Sequence, residues 1–362
     1  MEKKSKLVYI EILRIIAIAF VMLNHLPFVS NYMEHEGLLH WTYLFSVIFS
    51  RMCIPVFFML SGSLLLPRDE SISVLLKKRI LRFSILLVGM NLLTYIASAL
   101  IEYVHGNGLY LSVWDFITRL FAGNVEGAFS LWFLYAYLSL LFVLPVLRPA
   151  AKRFGWGEYI FFFVIHFILC SVLPVFNLVA KIGGFKGIAL SGHLNFPIAA
   201  INCFFYALTG YFIDKRLDIR KIKASTLWLM GIITFIAVGI SSVGLHFATD
   251  LEGEYPEKYY MVSEYIGGIF VFILMKYLFT ERFPKLSEGK IASAVCFVGS
   301  LTFGVYLLDP FLKMAIYPAY IRFFGDYAYG LLFCLCWVIL SSVVCGAVTF
   351  VLKKIPFIKE LL

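Results

Sequence analysis

Four ionisable side chains stand out inside apolar stretches of this sequence, where a chemical role is the usual reason to keep them. They are Arg14, His25, Arg51 and Asp309. A charged group in membrane hydrocarbon is costly, and it normally faces a protein interior or a water-filled cavity and has a partner there. Arginine suits anion binding, and histidine and aspartate suit proton transfer. These four residues are therefore the first candidates for a functional site.

Arg14 and His25 are eleven residues apart in one apolar stretch. Eleven helical residues make roughly 20° more than three full turns, so both side chains are predicted on one helix face, about 16 Å apart. Glu11, three residues before Arg14, is placed to pair with it. Two simpler interpretations stay open: Arg14 extends its charge to the cytoplasmic interface, and His25 bonds a neighbouring helix. A matched pair on one face favours a shared pathway.

Arg51 and Asp309 lie in two other apolar stretches. Arg51 comes about nine residues into its stretch, close to mid-bilayer, so it needs an anionic partner from the protein or from a ligand. Asp309 precedes Pro310, which is predicted to weaken the helix and to leave backbone groups lining a polar gap. Counted from the start of its stretch, Asp309 reaches the depth of His25, which makes the two residues a candidate pair.

Composition identifies the elements that must position these residues. The chain has 362 residues, of which 61% are hydrophobic and 15% charged, whereas soluble domains carry about 25% charged residues. A membrane-spanning helix needs about 20 apolar residues, and the sequence contains such stretches repeatedly. We predict an all-α polytopic membrane protein of about ten spans. These are residues 7–29, 42–66, 83–104, 129–147, 158–178, 196–213, 225–247, 259–279, 292–316 and 327–352.

Charge placement predicts the orientation of these helices. With the N-terminus inside, most of the 31 Lys and Arg residues fall in cytoplasmic segments, and the outer segments collect acids. The positive-inside rule therefore predicts both termini in the cytoplasm. The same placement accounts for the net charge of +9, so we predict contact with membrane lipid and no nucleic-acid binding.

A short outer helix and the scattered metal-ligand residues complete the pattern. Residues 111–121 are too few to cross a membrane, but Ser112 and Asp115 have capping-box spacing, and the apolar residues share a face. We predict an amphipathic helix on the outer surface there. The seven cysteines include no C-x-x-C pair, and no metal site is predicted. The other histidines are scattered: His35, His40, His105, His166, His193 and His246.

Five motifs in order along the chain resemble the acyltransferase family 3 membrane proteins. The acid-x-x-Arg-x10-His pattern of Glu11, Arg14 and His25 is specific when it is followed by the Phe-Phe-x-x-Ser-Gly stretch. The remaining motifs are Val56–Gly62, Lys77–Arg82, Leu131–Leu134 and Gly304–Leu308. The resemblance covers nearly the whole chain, so we expect residues 1–362 to form one integral membrane domain without a separate soluble domain.

The resemblance implies an enzyme that moves an acyl group, usually acetyl, from cytoplasmic acyl-CoA to a hydroxyl. The expected acceptors are surface polysaccharides, cell-wall glycans and lipid-linked sugars, and the expected location is the bacterial cytoplasmic membrane. Acetyl-CoA is then a donor substrate, and no bound cofactor is expected. A transporter or flippase for a small metabolite or glycolipid is the alternative interpretation. The oligomeric state stays open, with a homo-oligomer compatible with the sequence.

The family resemblance also assigns roles. Arg14, Ser61, Arg79 and Arg82 would hold the phosphates of coenzyme A, although basic residues of this kind also follow from topology alone. His25 would act as general base or as acyl carrier. Asp309 is the candidate partner of His25 because of its estimated depth and the neighbouring proline, and not because of the resemblance. Two departures concern the acceptor side, because Ser130 and Asp309 stand where relatives have histidine. Trp132 and Tyr306 are either interfacial aromatics or an aromatic floor for a sugar ring.

Overall fold

Helices make up nearly all the regular structure of the chain. A computed structural model describes residues 2–29, 31–191, 203–252 and 261–362, and no strand occurs in these ranges. The helices are α1 Glu2–Asn24, α2 Gly37–Ser50, α3 Cys53–Leu65, α4 Ile72–Val104, α5 Val113–Ala122, α6 Trp132–Arg153, α7 Trp156–Ile182, α8 Cys203–Tyr211, α9 Ala224–Glu252, α10 Met261–Tyr277, α11 Gly289–Phe324, α12 Leu331–Leu352 and α13 Pro356–Leu361.

Eight helical segments in the described ranges are long and apolar enough to cross a membrane. They coincide with eight of the ten predicted spans, and this confirms an all-α polytopic membrane protein. The first predicted span is α1. The predicted span 196–213 lies partly outside the described residues, and its described part contains α8. The orientation of the termini stays a prediction.

The second predicted span, residues 42–66, is not one regular helix. Helix α2 ends at Ser50 and α3 begins at Cys53, with Arg51 and Met52 in a turn between them. Pro55 explains the position of the break, because a proline has no N–H to donate and its ring clashes with the carbonyl four residues earlier, which belongs to Arg51. Arg51 therefore lies at a helix end, whereas the sequence predicted a position inside a regular helix.

Four π turns interrupt or extend the helices within the described ranges. A π turn inserts one extra residue into the helical ladder and shifts the faces on either side of it, and such turns are frequent at functional sites. The turn in α4 contains Lys77, Lys78 and Arg79 of the Lys77–Arg82 motif, and Arg82 lies beyond it. The four turns are Leu76–Ile80, Ile168–Val172, Phe212–Arg216 and Leu278–Arg282.

The described residues divide into two compact units. Unit 1 consists of Met1–Arg68, Leu147–Ser300 and Tyr329–Cys334, and it is built around α1, α3, α8 and α10, which pack on one another. Unit 2 consists of Asp69–Val146, Leu301–Ala328 and Leu335–Leu362. Each unit contains part of the predicted site, so each is described separately below.

A close helix crossing forms the centre of unit 1. Helices α3 and α8 meet at Gly62 and Gly210, where the backbones themselves are in contact. A Cβ on Gly62 would overlap the carbonyl oxygen of Ala207, and a Cβ on Gly210 would overlap that of Met59. Glycine at both positions is what allows this approach, as in other membrane helix pairs with small residues at the interface. The Ser61–Gly62 end of the Phe-Phe-x-x-Ser-Gly stretch therefore has a packing role.

The predicted amphipathic helix is present in unit 2 as α5, Val113–Ala122. It begins after Ser112, whose hydroxyl accepts a hydrogen bond from the Asp115 amide at 3.3 Å. It ends at Gly123 in the left-handed conformation, with φ +69°. A serine N-cap and a glycine after the last turn are the usual terminators of a short helix. The sequence prediction for this element is confirmed, and its place on the outer surface stays a prediction.

The two faces of α5 differ in chemistry. On one face, the Asp115 carboxylate accepts hydrogen bonds from Arg119 at 3.0 Å and from the Tyr95 hydroxyl of α4 at 2.9 Å. These two hydrogen bonds lower the pKa of the Asp115 carboxyl. On the other face, Trp114 and Phe121 are exposed. Helix α5 is thus held to α4 by its polar face, while its apolar face points outward.

Candidate active site

The acid and the arginine of the first motif form an ion pair in unit 1. Arg14 NH1 lies 2.7 Å from Glu11 Oε1, with 8% of the Glu11 side chain exposed and 34% of the Arg14 side chain. Gly299 of α11 packs against this acid, since a Cβ there would overlap Glu11 Oε2. The second carboxylate oxygen is buried and has no hydrogen-bond partner among the described residues. The predicted Glu11–Arg14 pair is therefore present, and it holds one edge of the guanidinium.

His25 follows the last residue of helix α1. The helix ends at Asn24 and not near residue 29, and the His25 amide closes a tight turn on the Met22 carbonyl at 3.1 Å. The helical periodicity that relates Arg14 to His25 therefore holds as far as Asn24, and the final step is a turn. The imidazole is half-buried. His25 therefore has a fixed backbone, and its side chain can be reached from outside the protein core.

Polar groups anchor the end of α1 to the break between α2 and α3. The Asn24 amide donates to Phe20 O at 2.8 Å and contacts Cys53 Sγ at 3.8 Å. The Ser50 hydroxyl donates to Asn24 Oδ1 at 3.1 Å. Because Asn24 is bonded on both sides, the backbone that carries His25 is fixed in place.

An acid not singled out in the sequence lies beside this cluster. Glu264 of α10 is 4% exposed, and both Glu264 and Arg51 are close enough to the Cys53 thiol for their charges to act on it. Unit 1 therefore provides the kind of anionic group that a deep Arg51 requires. The sequence does mark this residue as a candidate, because Glu264 is the single acid within the predicted span 259–279.

Ser61 lies within the glycine crossing of unit 1. Its hydroxyl is half-buried and donates to the Phe57 carbonyl one turn earlier at 2.8 Å. A serine that bonds its own helix satisfies its hydroxyl in an apolar environment and can exchange this partner by rotation about χ1. Ser61 is thus available to a ligand only after that rotation.

In unit 2, both motif arginines have protein partners. Arg79 donates from Nε to Glu70 Oε2 at 2.8 Å, and its terminal nitrogen donates to the other carboxylate oxygen, which gives a two-pronged pair. Arg82 donates from Nε and NH2 to the Leu361 carbonyl, at 3.1 and 2.9 Å. This carbonyl belongs to the last residue of α13, so Arg82 caps the C-terminal helix. The sequence placed both arginines near a donor site but predicted neither partner.

Asp309 is buried in α11, also in unit 2. The Ser341 hydroxyl of α12 donates to its Oδ1 at 2.7 Å. The helix continues through Pro310, although this proline cannot donate the hydrogen bond that would reach the Tyr306 carbonyl. The helix is thus continuous at Pro310 with one hydrogen bond fewer, the buried acid is present as expected, and the polar gap beside the proline stays a prediction.

The two aromatic candidates of unit 2 differ in exposure. The Tyr306 hydroxyl is buried and donates to the Ser130 carbonyl at 2.7 Å, whereas 36% of Trp132 is exposed. Phe133 packs edge-on against Tyr306 with ring centroids 5.8 Å apart. Tyr306 thus fixes the segment that enters α6, and Trp132 is the better placed of the two to meet a ligand.

Comparison with known proteins decides the family. The model of the acyltransferase domain of acyltransferase family 3 matches residues 7–350, nearly the whole chain. The chain belongs to this acyltransferase family. No curated protein and no solved structure matches it. The protein is therefore a membrane acyltransferase with several membrane-spanning helices.

The acyltransferase distributes its candidate residues over both units. Unit 1 contains Arg14, His25 and Ser61, with Glu11 and Arg51 beside them, and unit 2 contains Arg79, Arg82, Trp132, Tyr306 and Asp309. Within unit 1 the structure brings Glu11 to Arg14 and the Asn24 cluster to the neighbourhood of Arg51. The pairing of His25 with Asp309 stays a prediction. No group of three or more potential metal ligands occurs among the described residues.

Proposed function

We propose that this acyltransferase moves an acyl group, typically acetyl, from acyl-CoA to a hydroxyl of a glycan or lipid-linked sugar. The observation that carries the proposal is the Glu11–Arg14 pair on the helix that leads into His25. Glu11 fixes one edge of the guanidinium, and 34% of the Arg14 side chain stays exposed. An arginine held in this way keeps further N–H donors for a phosphate oxygen.

The remaining residues proposed to bind acyl-CoA exchange their present hydrogen-bond partners for phosphate oxygens. Glu70 takes two of the five N–H donors of Arg79, and the Leu361 carbonyl takes two from Arg82. A phosphate carries more charge than a carbonyl and accepts two parallel hydrogen bonds from a guanidinium, so it competes for these donors. Ser61 contributes its hydroxyl after rotating away from Phe57. Coenzyme A, with three phosphate groups, offers enough acceptors for several such contacts.

His25 acts on the acyl end of the donor. As a neutral imidazole it takes the proton of the acceptor hydroxyl while the hydroxyl oxygen attacks the thioester carbon. The carbon–sulfur bond then breaks, and the imidazolium returns the proton to the departing thiolate, which leaves an ester and free coenzyme A. In the covalent variant, the imidazole first receives the acyl group and then transfers it to the acceptor, with the same products.

Asp309 is proposed as the acid that orients His25. A carboxylate beside a catalytic histidine keeps the productive tautomer and stabilises the imidazolium formed during transfer. The Ser341 hydroxyl occupies one acceptor position of Asp309 Oδ1. A carboxylate has about four such positions, so Asp309 retains capacity for an imidazole N–H.

Acyl transfer by the purified full chain tests the proposal. The protein in detergent is incubated with labelled acetyl-CoA and a glycan or glycolipid fraction, and both coenzyme A release and labelled ester are measured. His25→Ala should abolish transfer, and His105→Ala is the matched control because His105 is exposed at the end of α4. A transporter would consume no acetyl-CoA in a single compartment. Near-normal transfer by His25→Ala would refute the mechanism.

A further inference from the structure

Two histidines that are far apart in sequence, and to which the proposed acyl transfer assigns no role, meet in unit 1. His40 lies in the first turn of α2, and His246 lies near the end of α9. His40 Nε2 is 3.2 Å from His246 Nδ1, and the ring centroids are 4.9 Å apart. Both side chains are half-buried. The chain therefore presents two imidazole nitrogens to each other from two separate helices.

The backbone fixes the tautomer of His40. Its Nδ1 lies 2.8 Å from the Tyr32 carbonyl oxygen, which can accept a hydrogen bond and cannot donate one. Nδ1 of His40 therefore carries the proton, and Nε2 of the neutral ring directs a lone pair at His246. A histidine that binds a metal is held in the same way, with one ring N–H on a backbone carbonyl and the other nitrogen on the ion.

The separation of the two nitrogens matches a metal site. Zinc binds imidazole nitrogen at about 2.0–2.1 Å in tetrahedral geometry, which places two nitrogen ligands about 3.3–3.4 Å apart. The observed 3.2 Å is within about 0.2 Å of that spacing. A rotation of the two rings that turns both lone pairs toward one point would therefore let an ion bind with little change in the separation of the nitrogens.

The neighbouring contacts keep the two rings in position before any ion binds. The Tyr32 hydroxyl and the Thr249 hydroxyl are hydrogen-bonded at 2.8 Å, which joins the end of α9 to the segment before α2. The Trp41 ring packs edge-on against His246 at 5.1 Å, and 39% of Trp41 is exposed. These contacts therefore hold both rings in position. The rings also lie close enough to the surface for an ion and its waters to reach them.

We propose that His40 and His246 form a binding site for a transition-metal dication, with Zn²⁺ as the reference ion and water in the remaining coordination positions. Imidazole ligands favour Zn²⁺, Cu²⁺ and Ni²⁺ over Mg²⁺ and Ca²⁺. Without the ion, His246 Nδ1–H donates to His40 Nε2. On binding, the Nδ1 proton leaves to water and His246 takes up a proton at Nε2, so both rings stay neutral and both present a lone pair. The ion then joins α2 to α9.

Thermal unfolding of the purified full chain in detergent tests this site without an acyl-transfer assay. Micromolar ZnCl2 should raise the Tm of the parent protein, and MgCl2 should not. His40→Ala and His246→Ala should each weaken Zn²⁺ binding at least about tenfold, since one of two ligands is lost. His35→Ala is the matched control, because His35 lies in the same segment and its Nδ1 lies 3.1 Å from the Glu34 carbonyl oxygen and not beside a second histidine.

Two further measurements separate metal binding from simple packing. His40→Gln keeps a side-chain acceptor for His246 and removes the metal-binding nitrogen, so it should fold like the parent and lose the Zn²⁺ response. Cu²⁺ bound to the parent should show hyperfine coupling to two nitrogens in electron paramagnetic resonance, and to fewer in His246→Ala. An equal Zn²⁺ response in the parent and in the His40→Gln protein, or no Zn²⁺ response in the parent, would overturn the proposal. A His25→Ala protein should keep the full response, so failure of the proposed acyl transfer would leave this site unaffected.

Discussion

The glycine crossing of α3 and α8 supports a quantitative stability prediction. In Gly62→Ala, the new Cβ stands about 1.5 Å inside ordinary van der Waals contact with the Ala207 backbone. No rotamer change can relieve this overlap, because both partners are main chain, so the two helices must separate. Overpacking in well-packed interiors costs about 1–3 kcal/mol and occasionally more. We expect a loss at the upper end, about 3 kcal/mol, which is more than a hundredfold in the unfolding equilibrium.

The matched control is Gly89→Ala. Gly89 lies in the middle of α4, and an added Cβ there meets no described atom within 4 Å. Alanine is the better helix former by about 1 kcal/mol, so this variant should be neutral or stabilised. Unfolding is measured by denaturant titration in mixed micelles, with helical circular dichroism as the signal. Equal stability of Gly62→Ala and Gly89→Ala would refute the close-crossing argument.

The reciprocal position provides a second check on the same reasoning. Gly210→Ala places a Cβ against the Met59 backbone in the same crossing. Once Gly62→Ala has separated the helices, the second methyl group overlaps less with the Met59 backbone. The double variant should therefore lose clearly less than the sum of the two single losses, as residues in one contact couple by about 0.5–3 kcal/mol. Strict additivity would mean that the two glycines act independently.

Three further predictions concern catalysis. Gly299→Ala should displace the Glu11 carboxylate and raise the KM for acetyl-CoA several-fold with little change in kcat, because Arg14 loses its orientation and not its charge. Arg82→Ala should weaken acyl-CoA binding about tenfold, about 1.4 kcal/mol, while leaving a non-CoA thioester unaffected. Asp309→Asn should keep acyl-CoA binding and slow transfer about tenfold, about 1.4 kcal/mol in the barrier.

The contrary outcomes of these three experiments are distinct. A fall in kcat alone for Gly299→Ala would assign Glu11 to the chemical step and not to donor binding. An equal loss with both thioesters for Arg82→Ala would mean that this arginine serves to cap α13 and hold the fold. Normal transfer by Asp309→Asn would remove Asp309 from the mechanism and leave it as the structural partner of Ser341. Thermal stability of each variant is measured on the same sample.

Features that depend on local sequence could be predicted well. Long apolar stretches identified the spans, and serine and glycine at its ends identified α5, because hydropathy and capping act within one or two helical turns. The Glu11–Arg14 pair is local in the same sense. The break at Arg51 also has a local cause, because Pro55 disfavours a regular helix at the carbonyl four residues earlier, so the sequence itself contains the reason why residues 42–66 are not one regular helix.

Features that depend on tertiary contacts could not be predicted. The sequence placed Arg79 and Arg82 at a donor site but contains no sign that Glu70 and the Leu361 carbonyl bind them, since those contacts depend on how α4 meets neighbouring segments. His40 and His246 are 206 residues apart, and sequence periodicity relates residues of one helix only. Sequence periodicity does not identify contacts between different helices. For this reason the partner of His25 could be proposed from the sequence but not identified.

The length of α11 has a consequence for the surrounding lipid. At 1.5 Å per residue, its 36 residues measure about 54 Å along the helix, whereas the hydrocarbon of a bilayer is about 30 Å thick. Even at a tilt of 40°, about 41 Å would lie along the bilayer normal. Part of the helix therefore extends beyond the hydrocarbon, and Phe323 near its end is exposed. The acyl-chain length of the surrounding lipids thus determines how much of α11 is exposed to headgroups and water.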